Sequence, residues 1–223
     1  MFPEVASSFA GSIDHVILLV AVLTGFWLFV AEGVFFWLIL KYRAKPGVKS
    51  EYLEGHEHHV ERWITWPHRL ILVCDVFIIV AAIHVWYNVK QRLPDNPDST
   101  IRIIGQQWAW TFQDPGPDNQ LDTDDDIYSV DELHVEVNKV YVFQLQSRDV
   151  LHSFSVPVFR LKQDAVPGRV ITGWFQATQT GTHDIQCAEI CGIGHGAMAA
   201  RIFIEDSTQH AAWQSAASTA NAQ

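Results

Sequence analysis

Ile13–Leu40 reads IDHVILLVAVLTGFWLFVAEGVFFWLIL, 28 residues in which Glu32 is the only charge after Asp14. At about 1.5 Å per residue a helix of this length exceeds the roughly 30 Å hydrocarbon core of a bilayer, so it can span with some tilt. A cleaved signal peptide would need a basic leader and an apolar stretch of only ~7–15 residues. The first dozen residues hold no Lys or Arg, and the apolar run is far longer. A spanning helix is the better reading.

A second apolar stretch runs from about Leu70 to Tyr87, predicting a span near 68–88. Trp63 and Trp66 precede it and Trp86 lies at its far end, as an interfacial aromatic belt requires. Between the spans lies a polar loop with Lys41, Arg43, Lys45, Lys49 and Arg62, so the positive-inside bias puts it in the cytoplasm and both termini outside. Lys90 and Arg92, on the outer side, count slightly against that orientation. Glu32, Asp75 and His84 fall within or near the bilayer. Ionisable groups there face protein or water, which points to a partner subunit unless they snorkel to an interface.

The charge balance divides at the same place. Of 223 residues, 25 are acidic and 15 are Lys or Arg, for a net charge of −10. Residues 1–93 hold 8 acids and 8 bases, whereas residues 94–223 hold 17 acids and 7 bases. The mean hydropathy of +0.06 averages a neutral apolar anchor with an acidic soluble part. This balance excludes a nucleic-acid binder, which needs a basic face. Three cysteines are too few for a disulfide scaffold.

Beyond the turn-rich linker Leu93–Pro97 the pattern changes to period two, predicting strands at Leu133–Val137, Val140–Gln146, Val170–Phe175, Thr182–Cys187 and Arg201–Glu205. Trp108, Trp110 and Phe112 are predicted to share one strand face. Several short strands in so short a stretch suggest a β-sandwich or barrel. The predicted organisation is a transmembrane hairpin over 1–93, a β domain over 94–206, and a flexible tail over 207–223 with at most a short helix near Ala211–Trp213.

Cys187-Ala188-Glu189-Ile190-Cys191-Gly192-Ile193-Gly194-His195-Gly196-Ala197-Met198 places two thiols, a carboxylate, an imidazole and a thioether in twelve residues after a strand. Thiolate and thioether ligands select copper or zinc, and imidazole suits both. Structural zinc sites do not use Met, whereas Met beside Cys and His suits electron-transfer copper. Two cysteines, with His195 and a histidine from elsewhere, can bridge two copper ions. A Cys187–Cys191 disulfide, or zinc, stays open on spacing alone.

The loop resembles the motif C-x-E-x-C-x3-H-x2-M of cytochrome c oxidase subunit II. Asp149–Pro157 resembles that family's first-histidine segment, Leu161–Arg169 the stretch that follows it, and Gly105–Trp110 its tryptophan-rich region. The likeness covers about residues 10–205. It implies a two-helix transmembrane hairpin and an all-β, cupredoxin-like Greek-key sandwich on the outer side; bacterial and organellar origin both stay open, and the absence of an Arg/Ser-rich transit segment favours a bacterial inner membrane with the domain in the periplasm. It also implies a dinuclear copper A centre. By position, Cys187 and Cys191 would bridge two coppers, His152 and His195 would each bind one, Met198 would be a weak ligand, and Glu189 would offer its backbone carbonyl. The Glu189 side chain would reach a magnesium ion shared with subunit I, and Asp149 would support His152. Trp108 would receive electrons from cytochrome c, and Glu61 would sit at the mouth of a proton path. Haem would lie only in subunit I, with subunit III a further partner, and the complex would reduce oxygen to water while pumping protons. One departure is Ala109, where the family commonly has an aromatic residue. Glu61 also stands one residue closer to Pro67 than in the family pattern.

Residues 94–149 carry 12 acids and 3 bases, including Asp122, Asp124, Asp125 and Asp126, a face suited to a basic partner. His56, His58 and His59 read as a hydrated loop. The competing functional class is a membrane-anchored copper carrier or metal-stabilised binding module, which would not need Trp108.

Overall fold

The structure is a computed structural model that describes residues 4–49, 54 and 57–221. Its first two elements are the helices α1 (Ala10–Lys41) and α2 (His58–Trp86), both long and apolar enough to cross a membrane. In α1 only Ala10 is buried, while Phe26, Phe29, Phe35 and Phe36 are all exposed. A surface so apolar is stable only where water is absent or a protein partner covers it.

The helix α2 starts about ten residues before the predicted span, and Pro67 does not stop it. Trp63, Trp66 and Glu61 therefore stand on the helix rather than in the loop before it. Pro removes one intrahelical donor, a loss that spanning helices tolerate when neighbours satisfy the freed carbonyl. Trp63 stacks on Trp37 of α1, with centroids 6.4 Å apart and 18° between planes. The chain leaves α2 through a π-turn, Tyr87–Gln91.

The remainder is a β-sandwich. Its strands are β1 (Ser99–Gln106), β2 (Ala109–Asp114), β3 (Ile127–Val130), β4 (Glu132–Glu136), β5 (Val140–Ser147), β6 (His152–Val156), β7 (Leu161–Ala165), β8 (Ile171–Gln176), β9 (Gly181–Cys187) and β10 (Ala199–Glu205). One sheet runs β3-β2-β1-β5-β8 and the other β4-β10-β9-β6-β7. Alternation directs Tyr141, Phe143 and Leu145 of β5 inward, as the period-two reading requires. Trp110 and Phe112 from one sheet meet Phe154 from the other, with centroids 5.5 and 6.3 Å apart. Trp108 departs from the predicted face: it stands in the turn between β1 and β2, exposed, outside the strand.

Two boundaries differ from expectation. The compact unit that holds the sandwich comprises Met1–Ile13 and Trp86–Gln223, and the other unit is Asp14–Val85. Ser7 bridges Ala177, Ala6 N–H donates to Val158 O at 2.9 Å, and Phe9 packs edge-on against Trp174. Val89 is buried, and the Lys90 ammonium donates to Lys162 O and Gln163 Oε1. The residues flanking the spans thus belong to the sandwich. The predicted flexible tail is instead the helix α3 (Ser207–Asn221). Asp206 Oδ1 caps it by accepting from Thr208 N–H and Gln209 N–H at 2.9 and 2.8 Å. Its Trp213 stacks on His134 of β4 at 4.4 Å, and His134 stacks on Phe203 at 4.6 Å. An Ala- and Ser-rich composition hid a helix held by its cap, by the Trp213 stack, and by polar contacts of buried His210 with Glu205 and of Gln214 with Asp114.

Candidate metal centre

The two halves of the site lie on neighbouring strands. His152 opens β6 and Cys187 closes β9, and the pairing Phe154↔Cys187 sets their register. Ala188 N–H donates to Ser153 O, and Cys187 N–H to Met198 O, so the loop closes back on itself before β10. A short turn at His195–Ala197 brings His195 and Met198 towards Cys191.

The donor atoms converge. Cys187 Sγ lies 3.8 Å from Cys191 Sγ and 3.9 Å from His152 Nδ1. Cys191 Sγ lies 3.7 Å from both His195 Nδ1 and Met198 Sδ. The Glu189 carbonyl lies 3.3 Å from Cys187 Sγ. Among the described residues, His152, Cys187 and Cys191 are the one group of three metal-ligating side chains with donor atoms within 4.8 Å of one another. Both cysteines are free, with their sulfurs side by side and unbonded. Burial, and then the hydrogen bond with Cys187, push the Cys191 thiol up to about 11. Two buried sulfurs, two imidazoles and a thioether form a soft donor set that fits copper and includes no carboxylate side chain.

Asp149 organises the histidine. Burial disfavours its charge, but hydrogen bonds from His152, Gln107 N–H and Val150 N–H outweigh that and hold it below the usual carboxylate range. An ionised carboxylate only accepts, so His152 Nε2–H donates to Asp149 Oδ1 at 2.8 Å. His152 Nδ1 is then left with its lone pair towards the thiols, the tautomer a metal ligand needs.

Residues 99–205 match the family described as Cytochrome C oxidase subunit II, periplasmic domain. The alternative cytochrome c oxidase subunit 2 of Bradyrhizobium diazoefficiens is 30% identical, covering 91% of this chain and 79% of that protein. This chain belongs to the cytochrome c oxidase subunit II family.

Other members of the family agree. The cytochrome c oxidase subunit 2 of Cereibacter sphaeroides is 33% identical over 175 residues, and this chain spans 57% of its length. The crystal structure of the periplasmic domain of subunit II from Bradyrhizobium japonicum superposes with a TM-score of 0.52 at 30% identity. It covers 57% of this chain and 99% of that domain. The sandwich is thus the cupredoxin-like domain of the family.

The structure brings together all six residues expected at the metal, His152, Cys187, Glu189, Cys191, His195 and Met198. Trp108, 39% exposed, lies over the same loop: a Cβ on Gly194 would sit 2.4 Å from Trp108 Cδ2. Glu61 is elsewhere, exposed in the first turn of α2 and 3.6 Å from His58. His56 lies outside the described residues. The acidic run is partly structural: Asp126 is buried and accepts from Gln113, and Asp122 pairs with Arg102 at 2.6 and 2.9 Å. Sequence reasoning missed Gln107, whose Nε2–H donates to the Cys191 carbonyl at 2.7 Å. Its one signal is its place beside Trp108.

Proposed function

We propose that the chain takes single electrons from a reduced c-type cytochrome at a dinuclear copper A centre and passes them to haem in subunit I of a proton-pumping oxidase. The observation that supports this reading most is that two buried thiols lie side by side, Cys187 against the imidazole of His152 and Cys191 against that of His195 and the Met198 thioether. When bound there, a pair of copper ions would be held by Cys187, Cys191, His152, His195, Met198 and the Glu189 carbonyl, and would supply a one-electron couple. The protein's part is to hold the ligands in place. His152 is oriented by Asp149, Met198 is buried beside Cys191, and the domain core excludes water from the sulfurs.

Trp108 is the residue that receives the electron, since its ring is half open to solvent on one side and rests on the ligand loop on the other. The Glu189 side chain, on the same loop, would face a magnesium ion shared with subunit I. Glu61 would sit at the mouth of a proton path. Glu32 and Asp75, exposed on the apolar helices, would face subunit I, and subunit III would be a further neighbour. The domain would lie in the periplasm of a bacterial inner membrane, with the basic loop between α1 and α2 in the cytoplasm.

A solved mixed disulfide joins a thioredoxin-like protein to the periplasmic domain of a subunit II. Two free thiols at 3.8 Å suit the same exchange here, so loading would require them reduced.

Rapid mixing of the copper-loaded full chain in detergent with reduced cytochrome c tests the assignment. The expected result is one electron accepted per chain, with Trp108→Ala slowing transfer at least tenfold at unchanged copper content. Two electrons per chain, or a rate indifferent to Trp108, would contradict it.

A further inference from the structure

We infer that Gln107 is a positioning residue of the metal centre, tying the exposed Trp108 turn to both halves of the ligand set. The inference rests on the copper A reading and adds to it a residue outside the set of donors. Gln107 acts at two points. Its side-chain Nε2–H donates to the carbonyl of Cys191 at 2.7 Å, which fixes the peptide of one bridging thiol. Its backbone N–H donates to Asp149 Oδ2 at 2.7 Å, and the other oxygen of that carboxylate accepts from His152 Nε2–H at 2.8 Å. One residue therefore restrains a ligand from the Cys187–Met198 loop and a ligand from β6.

The contacts are close. A Cβ on Gly192 would meet Gln107 Nε2 at 2.8 Å and Trp108 Nε1 at 3.2 Å, and one on Gly194 would meet the Trp108 ring at 2.4 Å. Gly192 has φ of +133°, a conformation open to glycine, and it directs the loop under the two side chains. No other side chain donates to the Cys191 carbonyl among the hydrogen bonds of the described residues. Losing this bond leaves a part-buried carbonyl without its donor and releases the loop at the residue that carries a bridging sulfur. Hydrogen-bonded supports of this kind shift metal affinity by 10–100-fold when removed. They also alter the electronic signature of the metal, because they set the ligand's orientation and the field around it.

The experiment uses the full chain in detergent, with Gln107→Leu, which keeps the volume and removes the donor, and Gln107→Asn, which keeps the amide but falls one methylene short. Gln106→Ala is the control for a change at the neighbouring residue, the last of β1, that leaves the Cys191 hydrogen bond untouched. Gln106 accepts from Arg148 and touches no ligand. Copper retention against a chelator, the visible absorption of the thiolate-bound metal and its EPR spectrum are read together. Retention is expected to fall roughly 10–100-fold in both Gln107 variants, with displaced absorption and altered copper hyperfine splitting, while Gln106→Ala matches the unmodified chain. Gln107 variants with unchanged spectra and retention would overturn the inference, and the copper reading would stand. An unmodified chain without a two-copper signature would overturn that reading itself, and this inference with it. A Gln107→Leu chain that lost its fold would leave Gln107→Asn to decide between these outcomes.

Discussion

A Cβ on Gly194 would sit 2.4 Å from Cδ2 and 2.6 Å from Cγ of Trp108, against side-chain ring atoms that have no flexible end to swing aside. The hydrogen at Gly194 is therefore what lets Trp108 rest on the ligand loop. Gly194→Ala is expected to cost about 1–3 kcal/mol through overpacking and to lift the ring. Thermal melting should show the loss, and electron uptake should slow while two coppers per chain are still bound. Asp149 works by different means. Asp149→Ala removes the acceptor that sets the His152 tautomer and should weaken copper retention by about 10–100-fold, measured by chelator competition. The donors themselves were the most legible residues of the chain, because five of them fall within twelve positions. His152 was legible only through resemblance, and Gln107 not at all, since its partner Cys191 lies 84 residues away.

At the scale of elements, α3 and the acidic loop carry structure that composition conceals. The stack of Trp213 on His134, and the cap at Asp206, hold a helix that Ala and Ser alone would not stabilise. Trp213→Ala should cost about 1 kcal/mol or more, the order expected for an aromatic pair, and should raise hydrogen exchange along α3. In the acidic loop before β3, Arg102 holds Asp122 down at about 2, first through their hydrogen bond and then with help from Gln113. The folded value is lower than the ordinary 3.8, so this pair stabilises the fold above pH 3.8 and the contribution fades as pH falls towards 2. Asp122→Asn should therefore lower stability at pH 7 and converge on the unmodified chain as pH falls through about 2, as denaturation across that window would show. Strand positions with clear alternation, such as those of β5, were legible from period two. The strand β1 was not, because Ile103 and Ile104 are both buried and leave no alternation to read.

For the whole molecule, charge and hydropathy divide the chain into an anchor and an acidic domain, and both parts have the architecture expected of a subunit II. The point of division was less legible. Residues on either side of the spans join the sandwich through backbone pairing at Ser7 and burial at Val89, contacts that hydropathy does not encode. With 12 acids against 3 bases in residues 94–149, the segment that holds Trp108 should attract a basic cytochrome at long range. Second-order rates of electron uptake should fall steadily as ionic strength rises, and a flat profile would count against acidic-face docking.

If Cys187 and Cys191 together hold two copper ions that share one electron, EPR of the copper-loaded full chain will show it. The expected spectrum has hyperfine structure from one unpaired electron spread equally over two copper nuclei, abolished by Cys191→Ser. A four-line mononuclear spectrum, or silence at full copper occupancy in the oxidised state, would contradict it.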